Sequence, residues 1–74
     1  MGPEFMINED LIDDARTAIE QLLNNLEEQR VQQESKSDQW QESDRGYEVQ
    51  QWIRNIENTL NSIDSDLADI EITP

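Results

Sequence analysis

The chain has no cysteine and no histidine. The first absence excludes disulfides and thiolate metal sites, and the second removes the commonest metal ligand and the commonest general base. Glycine and proline are scarce, with two of each, and Gly46 is the only glycine after Met6. No run approaches the roughly 18 apolar residues of a membrane span, and no basic and apolar leader opens the chain. Positive charge is the other shortage. Five Lys and Arg stand against 18 Asp and Glu, leaving a formal net charge of −13. Such a chain repels nucleic acid and anionic membranes, so the expected partner is a protein with a basic surface. Neither direct nucleic-acid binding nor membrane binding is expected, and cytoplasm is the default location.

Residues 1–5, MGPEF, precede a second methionine and read as a cloning and expression remnant. Residues 6–74 are read as a single domain. High acidity with few aromatics is a composition shared with disordered chains, and periodicity argues against that state here. Val49, Ile53, Ile56, Leu60, Ile63, Leu67 and Ile70 recur at alternating spacings of 4 and 3, and Ile12, Ala15, Ile19, Leu22 and Leu26 at 3 and 4. Both are heptad seams of amphipathic helices, and nothing alternates with the period of a strand.

The expected fold is all-α, an antiparallel, coiled-coil-like two-helix hairpin. The seams pair as mirror images: Leu26 with Val49, Leu22 with Ile53, Ile19 with Ile56, Ala15 with Leu60 and Ile12 with Ile63, each pair of numbers summing to 75. That register predicts helix one over about 8–34, a turn at about 34–38 and helix two over about 38–71, with Ser37 as N-cap and Asp38 favouring the helix dipole. An alternative places a loop from about Glu34 to Gly46, because glycine costs about 1 kcal/mol in a helix interior. The polar residues near the turn predict weakly held helix tips.

A single hairpin leaves each apolar stripe half exposed. Leu11 and Ala18 fall at g positions, Leu23 at e and Trp52 at g, so both apolar faces are wider than a two-stranded seam needs. These four residues are the expected self-association surface. The economical solution is a homodimer of hairpins forming a four-helix bundle, against the alternatives of a lone hairpin and a groove for a partner's helix.

No catalytic, cofactor-binding or metal site is expected. Asp64 and Asp66 in DSDLADIE stand two apart as in a calcium loop, yet Ala68 and Asp69 occupy the places that need an oxygen ligand and glycine. Carboxylate pairs such as Glu20 with Glu27 face outward, and the chain has neither a nucleophile–base pair nor a phosphate-binding glycine loop, so it reads as a non-enzyme. Two features suggest binding. Trp40 and Tyr47, seven apart, share one outward side if helix two is continuous, and with Trp52 form a candidate aromatic contact. Glu9, Asp10, Asp13, Asp14, Asp64, Asp66, Asp69 and Glu71 would gather at the open end, whereas Arg30, Lys36 and Arg45 lie near the turn. Acids at the end of helix two oppose its dipole, a cost that invites a functional reading.

The leading expectation is a small inhibitor of the phage or plasmid type, whose carboxylates imitate DNA phosphates on a nucleic-acid-binding protein. A structural coiled-coil assembly module or adaptor binding a partner helix is the second reading, and an antitoxin or immunity protein the third.

Overall fold

In a computed structural model, which describes residues 4–74, the chain forms three helices: α1 (Glu9–Glu34), α2 (Asp38–Gln41) and α3 (Asp44–Ala68). No strand occurs among the described residues. Of residues 1–5, expected to be a remnant, 1–3 lie outside that range. The long helices α1 and α3 pack antiparallel, giving a rod of 65 × 16 × 10 Å. The fold is thus the expected all-helical hairpin.

Local chemistry sets the helix ends. The Asn8 side chain accepts from the Asp10 N–H at 3.0 Å and caps α1, while Glu9 and Asp10 sit favourably in its first turn. Ser35 closes the helix, its N–H donating to the Val31 carbonyl at 3.1 Å. Ser37 then caps α2, its hydroxyl accepting from the Trp40 N–H at 3.2 Å.

The structure departs from one continuous second helix. After α2 the chain breaks at Glu42 and Ser43 and restarts as α3, with the Ser43 hydroxyl accepting from the Gly46 N–H at 3.1 Å and donating to the Trp40 carbonyl. Gly46 permits this re-entry. A Cβ there would lie 2.2 Å from the Trp40 carbonyl oxygen and 2.8 Å from that of Gln41. Neither the unbroken helix nor the loop to Gly46 describes this joint. Ser43→Ala removes the cap and is expected to cost about 1 kcal/mol, measurable as a lower urea midpoint.

The tip is polar, as expected, and its side chains are joined by hydrogen bonds. Gln33 and Gln41 exchange hydrogen bonds, Gln33 Nε2 to Gln41 Oε1 and Gln41 Nε2 to the Gln33 carbonyl, and Gln50 Nε2 donates to Gln41 Oε1 at 3.2 Å. Three glutamines thereby tie together the end of α1, α2 and the start of α3.

The buried core consists of Ile19, Leu26, Ile53 and Leu60. Ile19 mirrors Leu60 and Leu26 mirrors Ile53 about a centre where paired numbers sum to 79, and the Ile7 N–H donates to the Ile72 carbonyl at 2.9 Å on the same centre. The register is therefore shifted by four from the expected 75. Two ion pairs accompany the shift: Arg16 Nε with Asp64 Oδ1 at 3.0 Å, and Arg30 with Glu57.

Candidate functional site

Around the core line each long helix has two flanks. On α1, Arg16, Leu23 and Arg30 follow one side of Ile12, Ile19 and Leu26, and Ala15, Leu22 and Gln29 the other. On α3, Gln50, Glu57 and Asp64 lie to one side of Ile53, Leu60 and Leu67, and Val49, Ile56 and Ile63 to the other. Because Arg16 bonds Asp64 and Arg30 bonds Glu57, their flanks share one side of the hairpin. The opposite side is apolar.

On that apolar side Leu11 is 65 % exposed, Leu22 53 %, Trp52 50 %, Ile63 43 % and, just past α3, Ile70 40 %. Leu22, Ile63 and Ile70 were expected in the intramolecular seam. They lie instead on a stripe continuous with Leu11, Ala18 and Trp52, and Ala18 is itself exposed. Leu23 is half-buried on the ion-pair side and stands apart from the other three residues expected to drive self-association. The ion pairs explain the rotation: Glu57 and Asp64 reach the groove because an arginine of α1 receives each. Those carboxylates strengthen their partners' protonation, since the hydrogen bond and then the charge of Asp64 raise the Arg16 pKa, and those of Glu57 raise the Arg30 pKa.

The open end gathers the two acidic runs. The Ile7–Ile72 hydrogen bond brings the start of α1 level with the chain leaving α3, so Glu9, Asp10, Asp13 and Asp14 lie at the same end as Asp66, Asp69 and Glu71. Asp64 differs from these, being engaged by Arg16 at 3.0 and 3.4 Å. Among the described residues these carboxylates do not converge into a group able to hold a metal ion, and their geometry is that of a charged tip.

The aromatics do not form one patch. Trp40 stands half-buried on α2, with Lys36 Nζ 5.9 Å from its ring centroid, and Tyr47 is exposed on α3. The break at Ser43 takes them off the common helix that their shared side required. Tyr47 and Trp52, five residues apart, point about 140° apart around α3, so Trp52 alone joins the apolar stripe.

No helix among the described residues is long and apolar enough to cross a membrane. Comparison with family models, curated proteins and solved structures returns no match for this chain. The residues themselves therefore carry the functional reading.

Proposed function

We propose that this chain is a non-enzymatic inhibitor of the phage or plasmid type, which docks its acidic open end on the basic surface of a nucleic-acid-binding protein and keeps nucleic acid away. The observation that carries this reading is the meeting of two acidic runs at one end of a long rod, with Arg16 the only Lys or Arg in that half among the described residues. Carboxylates held on the helices and just past the end of α3 present an array of negative charge, as a phosphate backbone does. Asp13, Asp69 and Glu71 are exposed and form no ion pair among the described residues. Reversing these three to Lys is expected to weaken partner binding by at least about tenfold while leaving helicity unchanged. The check is capture from a lysate of the source organism or its host. A nucleic-acid-binding protein should be retained by the parent chain, released by DNA or raised salt, and lost with the triple variant. Retention that survives DNA, salt and charge reversal would sink the reading.

The apolar side supports the further reading that two hairpins pair as a homodimer and form a four-helix bundle. The chain exposes 6063 Å², whereas a compact monomer of this mass exposes roughly 4,700 Å². The excess is larger than the roughly 800 Å² that each partner contributes to a standard interface. The same stripe also supports the adaptor reading, in which another protein's helix occupies it.

A further inference from the structure

We propose that a second copy of this chain covers the apolar side head-to-tail, with the turn of one hairpin beside the open end of the other and Arg45 of each copy meeting Asp66 of its partner. The inference rests on the dimer reading above and specifies its geometry.

Charge along the rod favours this orientation. Residues 4–21 and 58–74, the open half, hold ten acids and one base, a formal −9, while residues 22–57 hold eight acids and four bases, a formal −4. Two copies laid with their open halves together would stack the most repulsive segments. The head-to-tail arrangement sets each −9 half against a −4 half.

The rim of the stripe is more specific. Heptad spacing along α3 places Arg45, Trp52, Thr59 and Asp66 in one row beside Val49, Ile56 and Ile63. Arg45 and Asp66 are the only charges in that row, of opposite sign and at opposite ends. Arg45 has one weak partner in the hairpin, Glu48 at 3.4 Å, in a highly exposed pair. A two-fold axis crossing α3 between Asn55 and Ile56 brings Arg45 level with the partner copy's Asp66, Trp52 with Thr59 and Val49 with Ser62 and Ile63, each contact occurring twice. With the axis along the rod, α3 would instead lie on the second copy's α1. Asp66 would then be level with Asp13, like charge against like. Head-to-tail pairing also sends the two acidic tips to opposite poles, so one dimer offers two docking ends separated by much of the 65 Å rod.

Charge exchange tests the geometry. By sedimentation equilibrium, Arg45→Asp and Asp66→Arg are each expected to weaken self-association by about tenfold, since each turns two rim attractions into repulsions. The double variant restores the pairs in swapped order and should return to within about threefold of the parent, because the coupled energy is recovered. A dimer whose dissociation constant ignores both single changes, or is not rescued by the double one, overturns the head-to-tail geometry and leaves the dimer standing. A parent chain monomeric at every concentration overturns both.

Discussion

Gly46→Ala is expected to destabilise the protein by about 3 kcal/mol, because the added methyl would run into a backbone carbonyl that cannot swing away as a side chain does. Alanine would ordinarily gain about 1 kcal/mol over glycine in a helix interior, so the sign of the effect is informative. In an unbroken helix from Asp38 onward the substitution would raise the melting temperature. With α3 re-entering beneath Trp40 and Gln41, the melting temperature should fall by at least about 10 °C, taking roughly 4–8 °C per kcal/mol for a domain of this size. Thermal melting followed by circular dichroism reads the sign directly. A rise would mean that the joint at Ser43 does not exist in solution.

Ile53→Ala should be still more damaging. Ile53 is 3 % exposed and lies level with Leu26, at one of two layers among the described residues where both helices contribute a buried side chain. Truncation there costs about 2–5 kcal/mol, a large share of the stability of so small a core. Loss of most helical signal at 25 °C, or a denaturation midpoint too low to define, is the expected result. Ile63→Ala, on the exposed stripe, should leave the helical signal of the isolated hairpin nearly unchanged. The register summing to 75 pairs Ile63 with Ile12 inside the hairpin, and equal destabilisation by the two substitutions would favour it over the observed one.

The contrast between those two isoleucines marks how far the sequence could be read. Both long helices, the turn between Glu34 and Asp38 and the cap at Ser37 were legible, because capping residues and apolar period act locally. The register was not. A heptad reading ranks apolar residues and takes the longest row as the seam, which places Val49, Ile56, Ile63 and Ile70 in the hairpin's own interior. In the structure Ile53, Leu60 and Leu67 keep that place, while Glu57 and Asp64 fill the adjoining row as partners for Arg30 and Arg16. Charge complementarity across the pair was the missing signal. Arg16, the one Lys or Arg in the acidic half, carries that signal.

The joint at Ser43 had a signature of its own: a serine, then an acid, then a glycine three places after the serine, repeating the capping chemistry already recognised at Ser37. What no local pattern could supply was the closeness of Gly46 to the Trp40 carbonyl, which depends on how α2 folds over α3. The same joint separates Trp40 from Tyr47, which makes the expected aromatic pair a casualty of a single backbone break. The acidic end depended only on the hairpin topology. Its two runs therefore came together despite the four-residue shift in register, with Asp64 alone diverted into an ion pair.

Sedimentation equilibrium of the parent chain beside Ile63→Asp, over a wide range of concentration, tests the apolar side most directly. The parent should approach twice its 8.7 kDa chain mass as concentration rises. The variant, carrying a charge in the middle of the stripe, should stay at the single-chain mass with its helical signal intact. A parent that remains at the single-chain mass throughout, or a variant that associates as readily as the parent, would contradict the pairing of hairpins through this surface.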